Sequence, residues 1–129
     1  MSFRKDLNVL VIDDDYNTVE VFAEFLELSQ VNVVGKGYDG KDAVHLYKQL
    51  KPDIVFLDVM MPDFDGFYAL ENIMKINPNA LVVMITADLT IDTEIKLKNM
   101  KAALIIYKPF DIQQIIEIID KLSLKVVKS

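Results

Sequence analysis

Five short apolar runs recur along the chain with longer amphipathic segments between them, and this alternation restricts the fold more than any other feature. The runs are mostly continuous rather than alternating, and they are rich in β-branched residues. Strands that are buried on both faces of a parallel sheet have this pattern. The runs occupy residues 9–12, 31–34, 54–57, 81–85 and 104–106.

The segments between these runs carry apolar residues at the period of an amphipathic helix, which lets one face pack on a sheet. Strands that alternate with helices predict an α/β fold of the (βα)5 type, a doubly wound five-stranded parallel sheet with helices on both faces. Residues 89–100 form no clean stripe. The clear stripes are Val19, Phe22, Ala23 and Leu26; Ala43, Leu46, Tyr47 and Leu50; and Ile112, Ile115, Ile116 and Ile119, with a fainter one at Phe67, Leu70 and Met74.

The composition is that of a packed domain. The chain has 129 residues, of which 52% are apolar, so we expect one domain over residues 1–129 with a core at about 7–122. The net charge of −6 argues against a nucleic-acid-binding face, which normally carries a basic excess. The chain has no cysteine and no apolar run near the length of a membrane span. We therefore expect a cytoplasmic protein that binds neither nucleic acid nor membrane directly.

Polar and charged residues follow four of the five apolar runs. Asp13 and Asp14 come after the first run, Asp58 after the third, Thr86 after the fourth, and Lys108 shortly after the fifth. In an open parallel sheet, ligands bind beyond the carboxyl ends of the strands, near the point where the strand order reverses. We therefore expect these five side chains to meet at one edge of the sheet.

The residue types at this edge are suited to phosphate chemistry with a divalent cation. Three neighbouring carboxylates repel one another, and a hard cation such as Mg²⁺ removes that cost. Lys108 adds a positive charge and Thr86 adds a hydroxyl donor. Phosphoryl transfer needs mainly positioning and charge neutralisation, and an aspartate can serve as the nucleophile. This set predicts a Mg²⁺-dependent site at which a phosphoryl group is accepted.

Four segments, taken in order, resemble the receiver domains of two-component response regulators. They are the acidic stretch at 11–15, the segment 58–66 from Asp58 to Gly66, the pair Thr86–Ala87, and the segment 108–110. The chain resembles the stand-alone, single-domain type of receiver over residues of about 7–122. The resemblance implies a flavodoxin-like fold with strand order 2-1-3-4-5.

The resemblance also implies roles for individual residues. Asp58 would accept a phosphoryl group from a sensor histidine kinase or a phosphotransfer protein. Mg²⁺ would be held by Asp13, Asp14, Asp58 and the backbone carbonyl of Met60.

Thr86 and Lys108 would contact the phosphoryl group, and a cis peptide bond would precede Pro109. The domain would act as a regulatory phosphoacceptor rather than as a conventional enzyme. It would signal through the fourth helix, fifth strand and fifth helix to an effector that the sequence does not identify. Such an effector would be a separate partner, or a further domain if this chain is part of a longer protein.

Two positions depart from the pattern of the family. Ile105 lies where receivers usually have an aromatic residue, so the aromatic switch that they couple to the residue at Thr86 would be either absent or replaced by an aliphatic version. Lys101 replaces a common glycine before the fifth strand. Met60 and Asp88 lie at variable positions that influence dephosphorylation, and we expect Asp88 to cap the fourth helix rather than to orient a water.

Several residues are expected to have structural roles. Asp15 and Asp111 are predicted to be N-caps of helices. Asp63 and Asp65 look like turn formers, and His45 is expected on the surface. The last helix has apolar residues in excess of one stripe, including Ile118 and Leu122. They belong either to the core or to a partner-binding face, and we favour the partner-binding face.

Two other functions are compatible with parts of the sequence. A haloacid-dehalogenase-like phosphatase would use Asp13 as its nucleophile in an Asp-x-Asp arrangement with Asp15, but the segment around Asp58 would then have no role. A receiver-like binding module that never takes phosphate would not need the complete acid, threonine and lysine set. The identity of the carboxylate that becomes phosphorylated distinguishes these possibilities.

Overall fold

The computed structural model describes residues 4–126, and over this range it has the predicted alternation of strands and helices. A short 3-10 turn, Arg4–Asp6, precedes the first strand. The strands are β1 (Asn8–Ile12), β2 (Asn32–Gly37), β3 (Ile54–Asp58), β4 (Val82–Thr86) and β5 (Leu104–Tyr107); the helices are α1 (Tyr16–Leu28), α2 (Gly40–Leu50), α3 (Gly66–Ile76), α4 (Ile91–Asn99) and α5 (Ile112–Ser123).

The five strands form one parallel sheet in the order β2-β1-β3-β4-β5, which confirms the expected fold and strand order. The chain first adds a strand on one side of β1 and then continues on the other side. The reversal leaves a crevice beyond the carboxyl ends of β1 and β3. The candidate site therefore lies at this edge of the sheet.

Alternate residues of the central strands face opposite layers of helices, because successive side chains of a strand point to opposite faces. Val9, Val11 and Phe56 pack in a cluster with residues of α1 and α5. Leu10 and Leu57 pack on the other face with residues of α2, α3 and α4. Burial on both faces explains why these strands read as continuous apolar runs.

Strand β2 is an exception to the continuous pattern, because it lies at an edge of the sheet. It extends over Asn32–Gly37, beyond the predicted run at 31–34, and its exposure alternates along most of its length. Gly35 and Gly37 interrupt the apolar run, so the run ended at residue 34 although the strand continues. Among the residues that the structure describes, no helix is long and apolar enough to cross a membrane.

The expectation that Leu122 belongs to a partner-binding face is wrong, whereas for Ile118, which is half-buried, it stays a prediction. Leu122 is 1% exposed and belongs to the core cluster of α1 and α5, against which Ile118 also packs. The buried stripe of α5 starts at Ile115, one turn later than predicted, and it continues through Ile119 and Leu122. Ile112, which the sequence placed in the stripe, is exposed.

Candidate functional site

The five predicted side chains all lie at the carboxyl edge of the sheet. Asp13 follows β1, Asp58 and Thr86 are the last residues of β3 and β4, and Lys108 follows β5. Asp13, Asp58 and Thr86 are buried, with exposed fractions of 7%, 4% and 0%. The parallel ladder continues into the loop after β5, where the backbone N–H of Lys108 donates to the carbonyl of Thr86 over 2.9 Å.

Three carboxylates and one ammonium group converge in the crevice. Asp13, Asp14 and Asp58 each present an oxygen within 4.8 Å of the others. Lys108 Nζ lies 3.3 Å from Asp13 Oδ2 and 3.3 Å from Asp58 Oδ1. The formal charge of this group is negative when all three carboxylates are ionised. The structure thus brings together four of the predicted residues as a direct cluster.

The cluster shifts the proton affinity of its members. Burial and then the charge of Asp13 raise the pKa of Asp58 to about 6, although Lys108 opposes this shift. Burial and the neighbouring Asp13 also raise the pKa of Asp14. Burial alone would lower the pKa of Lys108, but attraction to Asp58 and Asp13 outweighs it and raises that pKa. The single ammonium group of Lys108 therefore does not compensate the negative charge of the three carboxylates.

A hard divalent cation would supply the positive charge that the three carboxylates lack. The three converging carboxylates provide the oxygen donors that Mg²⁺ prefers, and Asp14 is exposed on the solvent side of the group. Met60, whose carbonyl the sequence predicts as a further ligand, lies two residues after Asp58 with its side chain exposed. The role of that carbonyl stays a prediction.

The hydroxyl of Thr86 is held by the loop that leads to α4. Thr86 Oγ1 accepts a hydrogen bond from the backbone N–H of Asp88 over 2.9 Å. Asp88 in turn accepts from the N–H of Thr90 over 2.9 Å and from the hydroxyl of Thr93 over 2.6 Å. These bonds lower the pKa of Asp88. A chain of contacts therefore leads from the site to the first turn of α4.

The structure corrects the expectation that Asp88 caps α4. The N-cap is Thr90, whose side chain accepts from the N–H of Thr93, and Asp88 lies two residues earlier. Asp88 supports the helix start indirectly, through Thr90 and Thr93. Both carboxylate oxygens of Asp88 accept these bonds. No contact between this carboxylate and Asp58 is found among the described residues.

Other predicted residues have the expected local roles. Asp15 is the N-cap residue of α1, although its carboxylate accepts from the hydroxyl of Thr18 and makes no cap hydrogen bond to a backbone N–H of the helix. Asp111 caps α5 in a capping box with Gln114. The peptide bond between Lys108 and Pro109 is cis, as predicted.

Sequence reasoning underestimated Asp65 and Gly66. Asp65 is more than a turn former, because it is the N-cap of α3 and accepts from the N–H of Tyr68 over 2.9 Å. Gly66 lies so close to the strand end that an added Cβ would overlap the carbonyl oxygen of Asp58. An Asp-Gly pair directly before an apolar helical stripe was the available signal for this cap.

Ile105 occupies the position where an aromatic residue was expected. It is half-buried and packs against the cluster that contains Leu97, the buried residue of α4. His45 is exposed on α2, as predicted.

Comparisons with known proteins agree with this geometry. The family model for the response regulator receiver domain matches residues 9–120. The chemotaxis protein CheY of Thermotoga maritima is 34% identical over 115 residues, which cover 89% of this chain and 96% of that protein. The chemotaxis protein CheY of Listeria monocytogenes is 33% identical, with 89% of this chain and 97% of that protein covered.

Solved structures show the same likeness. A chain in the crystal structure of the CheX–CheY–BeF3–Mg2+ complex from Borrelia burgdorferi superposes with a TM-score of 0.84 at 32% identity, covering 94% of this chain and 90% of that one. The response regulator domain of Thermotoga maritima CheB superposes with a TM-score of 0.81 at 28% identity, covering 95% and 98%. This chain belongs to the response regulator receiver domain family, the phosphorylation-dependent signalling switches of two-component systems.

Proposed function

We propose that Asp58 is the phosphoacceptor of this receiver. The observation that carries the proposal is its position, buried at the end of β3 with Lys108 Nζ 3.3 Å from Oδ1 and two further carboxylates beside it. Asp13 is less suited to act as the nucleophile, because Oδ1 accepts from the N–H of Asp15 and Oδ2 contacts Lys108. This difference favours Asp58 over the phosphatase-like alternative.

The proposed reaction is an in-line transfer. A carboxylate oxygen of Asp58 forms a bond to phosphorus while the bond from phosphorus to a histidine nitrogen of the donor breaks. The leaving imidazole keeps the electron pair and takes up a proton from solvent, and an aspartyl phosphate remains. With a pKa of about 6, Asp58 is mostly ionised at neutral pH and can act as the nucleophile.

The neighbouring side chains position the group and balance its charge. Lys108 lies close enough to Asp58 to pair with the incoming phosphoryl oxygens. Thr86, at the end of the adjacent strand, would donate its hydroxyl to them. Asp13, Asp14, Asp58 and the carbonyl of Met60 would hold Mg²⁺, which supplies further neutralisation of the phosphoryl charge.

We further propose that the donor is a sensor histidine kinase or a phosphotransfer protein and that the output face is formed by α4, β5 and α5. The domain assists its own phosphorylation without being an enzyme on another substrate. The chain of hydrogen bonds from Thr86 through Asp88 to Thr93 supports α4 as part of that face.

Intact-protein mass spectrometry tests the proposal. The protein is treated with acetyl phosphate and Mg²⁺, and we expect the mass gain of one phosphoryl group in the wild type and none in Asp58→Asn. Peptide mapping then locates the group. A gain that persists in Asp58→Asn and is lost in Asp13→Asn would favour the phosphatase-like alternative, and no gain in the wild type would favour a binding module.

A further inference from the structure

The loop of residues 59–65, which follows Asp58, is in contact with the start of α2. We propose that Gly40 is a positioning residue for the phosphorylation site, because it holds this loop through its backbone. The inference rests on the proposed function, since the loop contains Met60, the predicted carbonyl ligand. It assigns a role in the site to a residue on a helix that contributes no side chain to it.

The first contact is a hydrogen bond from helix to loop. The N–H of Gly40 donates to the carbonyl of Phe64. Gly40 is the first residue of α2, where backbone N–H groups have no partner inside the helix. Asp39, the N-cap, uses its side chain for the N–H of Asp42 instead. The N–H of Gly40, which has no partner inside the helix, therefore bonds to the tip of the loop.

The second contact is a close approach of the two backbones. A Cβ added at Gly40 would lie 2.5 Å from the carbonyl oxygen of Asp65 and 2.6 Å from that of Phe64. Because both are backbone atoms, the loop or the helix would have to move to make room. Glycine is required here for space rather than for an unusual backbone angle, since none of the glycines among the described residues has a positive φ.

The ring of Phe64 adds a third contact between the helix and the loop. Lys41 Nζ lies 5.1 Å from the centroid of this ring, at the distance of a cation–π interaction. The same ring also packs against Tyr68 of α3, with centroids 4.9 Å apart. The tip of the loop is thus held between the first turns of α2 and α3.

The base of the loop is tied to the site itself. The N–H of Val59 donates to the carbonyl of Ile85 in β4 over 2.9 Å, and the N–H of Gly66 donates to the carbonyl of Val59 over 2.9 Å. Met60 lies two residues after Asp58, between a base fixed by these bonds and a tip fixed by Gly40. A displacement at Phe64 would be transmitted to Met60 through four residues of backbone.

The test compares Gly40→Ala with Gly35→Ala, a matched control. A Cβ at Gly35 meets only the ends of flexible side chains, Leu10 at 2.7 Å and Leu50 at 2.9 Å, away from the loop. Mg²⁺ affinity is measured by NMR titration of backbone amides, and the phosphorylation rate with acetyl phosphate is measured by mass spectrometry. We expect Gly40→Ala to weaken Mg²⁺ binding and slow phosphorylation by about ten-fold, as for changes behind a metal site. Gly35→Ala should leave both unchanged.

Unchanged Mg²⁺ affinity and rate in a folded Gly40→Ala protein would overturn the inference, whatever its melting temperature. If Gly40→Ala does not fold, Phe64→Ala decides, because it removes the ring held by Lys41 and Tyr68 and leaves the backbone donor in place. We then expect a smaller loss of Mg²⁺ affinity, about two-fold, and no loss would overturn the inference. Failure of the wild type to take phosphate would instead contradict the proposed function.

Discussion

Asp58 and Lys108 form the central ion pair of the site, and the pair leaves the buried carboxylate under-compensated. Burial raises the pKa of Asp58 to about 6, and Lys108 opposes this shift only in part, because it also pairs with Asp13. A carboxyl whose pKa is raised by folding stabilises the folded state while it is protonated, and that stability is lost as the pH rises through the folded-state pKa. The ionised carboxylate that we propose as the phosphoacceptor therefore lowers the stability of the folded state at neutral pH.

We predict that Asp58→Asn is more stable than the wild type at pH 7.5 without Mg²⁺. The gain should be on the order of 2–3 kcal/mol, as expected from a pKa raised from 3.8 to about 6. It should disappear below about pH 4, where Asp58 is protonated in both the folded and unfolded states. Urea unfolding at several pH values measures it.

Asp92→Asn on the exposed first turn of α4 is the control, for which we expect no comparable gain. Equal stability of Asp58→Asn and the wild type at pH 7.5 would show that the carboxylate is better solvated than its burial implies.

Helix α5 shows how packing is decided at the scale of a secondary-structure element. Its buried stripe of Ile115, Ile119 and Leu122 lies on the sheet, whereas Ile112 is exposed at the first turn. We predict that Leu122→Ala lowers the free energy of unfolding by about 2–5 kcal/mol, because it leaves a cavity in a closed core. Chemical denaturation measures this loss.

Ile112→Ala, on the same helix, should cost less than about 1 kcal/mol. A similar small cost for Leu122→Ala would mean that the end of α5 is loosely packed. In that case Leu122 would again be available for a partner.

Helix α4 has the least support from packing among the five helices described. Leu97 is its buried residue, while Leu89 before the helix and Ile91 and Ile95 within it are exposed. We predict that the amides of α4 exchange with solvent faster than those of α3, which buries Ala69, Leu70 and Ile73. Hydrogen-exchange NMR compares the two helices, and uniform protection would contradict the idea that α4 is the mobile part of the output face.

At the scale of the whole molecule, folding brings the carboxylates that follow β1 and end β3 into one crevice. A cation that binds there should therefore stabilise the folded state against unfolding. Mg²⁺ at 100 times its dissociation constant should add about 2.7 kcal/mol to the free energy of unfolding. We predict that this gain falls as the pH drops through about 6, because protons compete for Asp58. Thermal unfolding with and without Mg²⁺ at each pH measures it.

Asp13→Asn should lose most of the Mg²⁺-dependent gain, and Asp92→Asn should retain it. Equal stabilisation of the wild type and Asp13→Asn would indicate that Mg²⁺ binds elsewhere on this acidic chain.

The sequence by itself determined the type of each element, the strand ends that carry the site and the residues that meet there. These features depend on local periodicity and on the rule that parallel strands end at one edge, and both are visible in the order of the amino acids. They suffice to identify Asp13, Asp14, Asp58, Thr86 and Lys108. Contacts between segments that are distant in the sequence cannot be read from local periodicity.

The tertiary structure decided which turn of α5 is buried and that Thr90 rather than Asp88 caps α4. It also decided how far burial raises the pKa of Asp58 and that α2 meets the loop after Asp58 at Gly40. The choice of cap is settled by contacts within residues 88–93. The other three depend on distances between packed segments, which no local pattern of residues encodes.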